Sequence, residues 1–294
     1  MSEVMIGIIG GTGLGEAFAV QAQGEQRTVD TPFGSPSSPI ILSEWSGTRI
    51  ALLARHGDGH LLSPSVVPYR ANIYALKSLG VTHIIASGAV GSLKEDIQPR
   101  HLVVPDQVID KTFRREGSFF ADHCAVHVEL SHPLCPHLRK LLLDCASQVE
   151  TNVHDGGTYV CMEGPQFSTQ AESRMHQKWG GDLIGMTCMP EAKLAREAEI
   201  CYALLALPSD YDCWREHDAA LSKQQLLTEI LANLKQVTEY GIRLIQASVS
   251  QAGQLVDIDC PDRRALELAI WSDKKRIPKK MRKELRLLLG DYLS

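Results

Sequence analysis

Three short apolar runs, each feeding directly into a turn of small or anion-binding residues, constrain the fold of this chain more than any other feature. Met5-Ile6-Gly7-Ile8-Ile9 leads into Gly10-Gly11-Thr12-Gly13-Leu14-Gly15, and Leu52-Leu53-Ala54 leads into Arg55-His56-Gly57-Asp58-Gly59-His60. Val81-Thr82-His83-Ile84-Ile85-Ala86 leads into a loop-like stretch of small residues, Ser87-Gly88-Ala89-Val90-Gly91-Ser92. Runs this short and continuously apolar suit strands buried on both faces. An open α/β sheet builds its ligand site from the loops at the carboxyl ends of such strands. Further strand-like runs near 40–43, 101–104, 157–161, 182–185 and 201–207 alternate with helical stretches near 66–79, 134–149, 168–179, 189–198 and 219–248. The alternation predicts an α/β fold, a single domain with a central mixed β-sheet flanked by helices.

Closely spaced glycines let successive backbone N–H groups turn inward as a nest for an anion. The dinucleotide pattern G-x-G-x-x-G, started at Gly11, would need its third glycine at Glu16; the Walker pattern, started at Gly10, meets Glu16-Ala17 where it needs Lys and Ser or Thr. Both fail. What remains is a small free anion such as phosphate or sulfate held with the Thr12 hydroxyl, or a tight turn with no ligand. The second turn adds the planar donor fork of Arg55, and His56 can supply one more donor. Ala203-Leu204-Leu205-Ala206-Leu207 reads as a buried strand delivering Ser209-Asp210-Tyr211-Asp212 to the same crevice. In an extended segment side chains i and i+2 share a face. Asp210 and Asp212 can then read opposite edges of a purine, one carboxyl protonating a ring nitrogen and the other accepting from an exocyclic amine. The alternative is a solvated acidic turn.

The segments GGTGL (10–14), TPFG (31–34), LARHG (53–57), the stretch from Tyr69 to Gly91, EGPQFS (163–168), GMTCMPEA (185–192) and SDYDCW (209–214) occur in one colinear order. In these the chain resembles the purine nucleoside phosphorylase family from about residue 5 to about residue 240, most closely its methylthioadenosine-cleaving branch. The resemblance implies a nucleoside phosphorylase-like fold and a reaction in which phosphate displaces a purine from C1′ of a ribose. It places phosphate on Thr12, Arg55, His56, Ser87, Ala89 and Thr187, with Met186 under the ribose and Thr187 bridging ribose and phosphate. The nucleoside would contact Phe167, Ser168, His60, Leu226 and Leu227, with His127 closing the 5′ pocket of a neighbouring subunit. Asp210 would hydrogen-bond N7 as general acid, and Asp212 would accept from the 6-amino group. Relatives acting on guanosine and inosine place Asn at the position of Asp210, because Asn can donate to a 6-oxo group and a carboxylate cannot. Two carboxyls therefore point to adenine, and the expected reaction is 5′-methylthioadenosine plus phosphate to adenine and 5-methylthioribose 1-phosphate, a step of purine and methionine salvage. The alternative is a broader or 6-oxopurine phosphorylase acting on 5′-deoxyadenosine, methylthioinosine or inosine. A non-catalytic nucleoside-binding protein would be expected to have lost some of Asp210, Asp212, Arg55, His56 and Thr187. The resemblance further implies a homotrimer with sites at subunit interfaces, inorganic phosphate as co-substrate and no other cofactor.

Three positions depart from the family. Lys223 stands where an apolar residue lines the 5′ pocket; it either snorkels to solvent along its methylene stem or gives the pocket a polar wall. Gly88 replaces a phosphate-binding Thr, and Pro208 replaces the Ala before the acids. His123, Cys124, His127, His132, Cys135 and His137 crowd one stretch, but the spacings are irregular and no C-x₂-C pair accompanies His123 and His127, so no metal is expected there. The net charge of −5 makes nucleic acid an unlikely partner. The eight Cys without paired spacing read as reduced thiols. With no basic leader and no apolar run long enough to span a membrane, a cytoplasmic location is expected. Residues 1–250 are expected to form the nucleoside phosphorylase domain. From 251 the resemblance fades into a basic, helical extension, 251–294, which holds ten of the 30 Lys and Arg after residue 260. It could dock on its own acidic body, cap a neighbouring site or contact an anionic polymer.

Overall fold

The computed structural model describes residues 4–15, 24–121, 124–215, 222–290 and 292–293. The first apolar run forms strand β1 (Met5–Gly10), whose side chains alternate between two cores: Met5 and Ile9 on one face, Ile6 and Ile8 on the other. The second run forms β4 (Thr48–Ala54), and the third opens β5 (His83–Ser92). Both pair with β1 in parallel, from Met5 opposite Arg49 and from Ile6 opposite His83. The strand before the acidic tetrad is β11 (Cys201–Tyr211), parallel to β5 over almost its whole length. An antiparallel ribbon of β2 (Glu25–Arg27) and β3 (Ile40–Trp45) continues the sheet beyond β4. On the other side lie β10 (Leu183–Gly185), antiparallel to β5, then β9 (Thr158–Cys161) and β7 (Gln107–Asp110), while β6 (Leu102–Val104) and β8 (Val153–Asp155) extend from β11. The sheet is mixed, as predicted.

Helices cover both faces. Helix α1 (Tyr69–Ser78) and helix α4 (Cys188–Glu197) bury Ile73, Leu76, Leu194 and Ala195 in one core. Helix α2 (Pro136–Asp144) and the long α5 (Lys223–Ser250) bury Leu138, Leu142, Leu244 and Ile245 in the other. Helix α3 (Gln170–Lys178) starts on a capping box in which Thr169 and Glu172 satisfy each other's backbone N–H groups. Ser222 and Gln225 do the same for α5; the predicted start of that helix at 219–221 lies outside the described residues.

Two expectations are corrected. Ser87 to Ser92 is not a loop but the second half of β5, kept extended because β11 continues to pair with it as far as Ser92. On its other edge β1 pairs only as far as Ala86 and β10 takes over only at Gly91, so Ser87 to Val90 have no strand partner there. That gap is where a ligand can meet the backbone. The extension after 250 does not dock through its cations: Lys274, Lys275, Lys279, Lys280 and Lys283 are exposed. It is anchored by Leu266, Ile277, Met281, Leu285, Leu288 and Leu289, which join the core of α1 and α4. The single short helix expected there is two, α6 (Lys279–Glu284) and α7 (Arg286–Leu289). Glu199 Oε1 secures the extension by accepting from Leu266 N at 3.0 Å and from the Tyr292 hydroxyl at 2.7 Å.

Candidate active site

Arg55 follows β4 without a break, and its backbone N–H donates to the Gly10 carbonyl at 3.0 Å, locking the second turn to the first. Its side chain is fully buried. Nε and Nη2 donate to the two carboxylate oxygens of Glu191 at 2.5 and 2.9 Å, and Nη1 donates to the Ser87 carbonyl at 2.7 Å. Burial by itself would lower the pKa of this guanidinium, but the Glu191 carboxylate outweighs it and holds Arg55 as a cation. These bonds engage three of five N–H groups, leaving two for a ligand. Gly11 packs on this cluster: a Cβ there would lie 2.7 Å from the Ser87 carbonyl oxygen and 2.8 Å from Arg55 Nη1. Only glycine allows the turn that carries Thr12 to come so close. A Cβ at Gly88 would stand 3.4 Å from Thr187 Oγ1. Thr187 is the N-cap of α4, and its hydroxyl caps no backbone N–H of that helix. Thr12, Arg55, Ser87, Gly88 and Thr187 thus converge on the open edge of β5, beside the positive end of a helix.

His56 adds to this wall in a way the sequence did not indicate. Its Nδ1 lies 2.7 Å from the Leu62 carbonyl, which can only accept, so Nδ1 carries the proton. Burial, with the Arg55 charge behind it, pushes the imidazole down to about 4. The ring is therefore neutral near pH 7, and its Nε2 offers a lone pair, not the expected extra donor. His60, stacked on it at 4.2 Å between ring centroids, is exposed.

At the far end of β5 the acids come into register. Pro208 pairs with Val90 but Asp210 with Gly91, so Ser209 is the extra residue of a β-bulge. A strand interior tolerates Pro at a bulge, and the bulge re-aims the residues that follow. Asn233 of α5 holds it in place, donating to the Ser209 carbonyl at 3.1 Å and accepting from Arg100 Nε at 2.6 Å. Asp210 is half-buried and accepts from the Ser209 hydroxyl at 2.9 Å. Asp212 is buried, its N–H bonded to the Ser92 carbonyl at 3.0 Å, and its Oδ2 has no partner among the described residues. The Trp214 indole donates to the same Ser92 carbonyl at 2.8 Å and fixes the segment beyond.

Two residues that sequence reasoning missed join the motifs. Arg115, almost fully buried, donates to the carbonyls of Met186, Met189 and Glu163 at 2.5, 2.6 and 2.6 Å, and pairs with the Glu163 carboxylate at 3.2 Å. Burial would raise the Glu163 pKa, but bonds from Ser65 and from the N–H groups of Phe113 and Arg114, with the Arg115 charge, bring it down to about 2. Glu191 is the other. Arg115 stands in none of the motifs, and Glu191, though within GMTCMPEA, gained no role there; both roles become visible only when distant segments meet.

The remaining expected site residues are placed as follows. Ala89 lies in the open stretch of β5. Met186 is half-buried directly before Thr187, and the Ser168 carbonyl accepts from Cys213 Sγ at 3.2 Å, bringing EGPQFS against SDYDCW. Phe167 is 85% exposed in the single chain, Leu227 is exposed and Leu226 half-buried on the first turns of α5, and Lys223 faces solvent. His127 packs edge-on against Trp271, 5.0 Å between centroids, and its N–H donates to the Ala269 carbonyl, so it is joined to the C-terminal extension. His123 lies outside the described residues.

The family model that matches this chain is that of the phosphorylase superfamily, over residues 5–250. An S-methyl-5′-thioadenosine phosphorylase of Geobacter sulfurreducens is 44% identical over 292 residues, covering 99% of this chain and 100% of the relative. One from Chloroflexus aurantiacus is 44% identical and covers 100% of both chains. The family model stops at residue 250, where the resemblance was expected to fade, while these relatives align over nearly the whole chain, the extension included. Among solved structures, a methylthioadenosine phosphorylase from an antarctic soil metagenomic library superposes with a TM-score of 0.88 at 41% identity, covering 98% of this chain and 100% of that one. The methylthioadenosine phosphorylase of Schistosoma mansoni in complex with tubercidin superposes with a TM-score of 0.79 at 31% identity, covering 98% of each chain.

Proposed function

Because the chain belongs to the phosphorylase superfamily, we propose that it catalyses the phosphorolysis of 5′-methylthioadenosine to adenine and 5-methylthioribose 1-phosphate. Phosphate sits on the open edge of β5, taking donors from Arg55, Thr12, Ser87, Thr187 and the Ala89 backbone. His56 Nε2 accepts the O–H of the phosphate monoanion, which leaves the unprotonated oxygens to Arg55 and to C1′. As the C1′–N9 bond breaks, the ribose above Met186 gains positive charge, and the adjacent phosphate stabilises it electrostatically. Asp210 hydrogen-bonds N7 and supplies the proton the leaving adenine needs; Asp212 accepts from the 6-amino group.

The observation that carries this reading is the unpartnered Oδ2 of buried Asp212, on the same strand pair that holds the phosphate cradle. A buried acceptor without a donor costs about 1–3 kcal/mol, which an exocyclic amine relieves and a 6-oxo group does not. That penalty alone corresponds to roughly 5–150-fold discrimination against the oxo analogue. Inorganic phosphate is the only co-substrate in this reading and no further cofactor takes part. The enzyme works in the cytoplasm as a trimer, where His127 of one subunit closes a neighbour's 5′ pocket.

The test compares kcat/KM for methylthioadenosine, adenosine, 5′-deoxyadenosine and methylthioinosine in the wild type and in Asp210→Asn. The expected result is a strong preference for methylthioadenosine that moves toward the 6-oxopurine in the variant. An Asp210→Asn enzyme with unchanged adenine release would remove Asp210 from the chemistry. The Schistosoma mansoni enzyme is also named an adenosine/methylthioadenosine phosphorylase; comparable rates for adenosine here would put this chain in that broader class.

A further inference from the structure

At the opposite end of β11 from the acids, three sulfurs and a carboxylate meet. Cys135 immediately precedes α2, Cys201 opens β11, and Cys260 and Asp262 belong to the C-terminal extension. Cys260 Sγ lies 3.2 Å from Cys201 Sγ and 3.6 Å from Cys135 Sγ. One ligand atom from each of the four residues lies within 4.8 Å of all the others, and all four residues are buried. Zinc–sulfur bonds of about 2.3 Å in a tetrahedron set sulfurs about 3.8 Å apart, so the observed spacings need to change by only about half an ångström. A purely apolar role would account for three thiols in a core but not for Asp262 among them. Its Oδ1 is gripped by Arg196 Nη2 at 3.0 Å, the outer contact that typically orients a carboxylate ligand.

We propose that Cys135, Cys201, Cys260 and Asp262 form a closed, tetrahedral zinc site that fastens the C-terminal extension to the sheet and to α2. The donor set of three sulfurs and one carboxylate suits zinc over the hard cations, which take oxygen. Zinc takes cysteine as the thiolate, so each thiol gives up its proton as its Zn–S bond forms, and metal uptake releases protons. Three thiolates and a carboxylate around a dication carry net negative charge, and the Arg196 guanidinium paired with Asp262 offsets part of it. With four protein ligands no position is open to substrate, and nine residues of strand at about 3.3 Å each separate Cys201 from Asp210 by about 30 Å. The site is structural and independent of the proposed reaction.

Full-length protein, purified under reducing conditions without chelator, is measured for zinc by elemental mass spectrometry, and cobalt(II) is substituted for the zinc. The expected result is about one tightly held zinc per chain, intense sulfur-to-cobalt charge-transfer absorption, and a lower melting temperature once a chelator has removed the metal. Cys260→Ser should lose stoichiometric zinc, and Asp262→Asn, which keeps the side-chain shape, should bind at least tenfold more weakly. Wild type that carries no zinc and shows no cobalt–thiolate absorption would overturn the proposal. So would a Cys201–Cys260 disulfide in the purified chain, or equal zinc in the folded Cys260→Ser variant.

Discussion

Replacing Glu191 by Gln isolates the pair that makes a buried Arg55 tolerable. The carboxylate accepts from Arg55 Nε and Nη2, and Oε2 also accepts from the Tyr202 hydroxyl at 2.9 Å, with both ionic partners fully buried. A Gln amide keeps the volume but has only one acceptor oxygen; its NH₂ must face either an arginine N–H or the tyrosine O–H, and the guanidinium charge loses its counter-ion. Breaking one side of a buried ion pair costs about 3–5 kcal/mol, a fall of roughly 10 °C in melting temperature for a domain of this size. Phosphate supplies the missing negative charge if it binds where proposed, so a phosphate titration should stabilise Glu191→Gln more than wild type. The assay is thermal unfolding of both proteins across phosphate concentrations, read beside the KM for phosphate. A variant melting within about 1 °C of wild type would refute the claim that Glu191 compensates Arg55. Equal phosphate shifts in both would refute the placement of phosphate on that guanidinium.

Other outcomes follow from the same geometry. His56 is held near 4 in the folded chain, below the ordinary 6.5; the unfolded chain binds more protons between these values, so the stability it contributes is present above about pH 6.5 and is lost as pH falls toward 4, by at most about 3 kcal/mol. Glu197, raised to about 7 by burial, runs the other way, its contribution being lost as pH rises toward that value. The test is therefore a difference: urea midpoints of His56→Gln should fall less than those of wild type between about pH 7.5 and 5, and parallel profiles would contradict the burial argument. Asn233→Ala removes the clamp on the Ser209 carbonyl and leaves Arg100 without its acceptor; it should cost about 1–3 kcal/mol of stability and at least about tenfold in kcat/KM. A stability loss with full activity would show that the bulge does not aim Asp210 and Asp212.

Legibility in the sequence followed burial on two faces. β1, residues 50–54 of β4 and residues 84–86 of β5 are apolar because both faces are covered, and they stand out from their surroundings. β2, β7 and β8 did not, since three or four residues with Glu, Arg, Gln or Asp among them carry no hydrophobic period. The second half of β5 looked like a loop because its small residues serve a ligand edge, and only the pairing of β11 keeps it extended. Arg55 was readable as an anion donor from its place after a strand. Its partner Glu191 lies 136 residues away on a helix, within a recognisable motif that does not say which cation it meets. Arg115 is similar: its importance comes from bonds to three segments, around Tyr69, Glu163 and Met186, that meet only in the fold. For His56 the residue type was readable but its role was not, since the sense of its hydrogen bonding depends on the Leu62 carbonyl. The extension looked like a basic surface helix because cations dominate its composition, yet the leucines between them dock it. Cys135, Cys201 and Cys260 are separated by 59 and 125 residues, so no spacing rule could have brought them together.

The most direct test of the central claim is the time course of adenine release from 5′-methylthioadenosine by the wild-type protein, with inorganic phosphate and with phosphate rigorously removed. Release that requires phosphate and yields 5-methylthioribose 1-phosphate in equal amount is the predicted result. Release at the same rate without phosphate, giving the free sugar, would make the protein a hydrolase and contradict the assignment of the β5 edge as a phosphate site; nucleoside binding with no turnover in either condition would contradict the proposed reaction altogether.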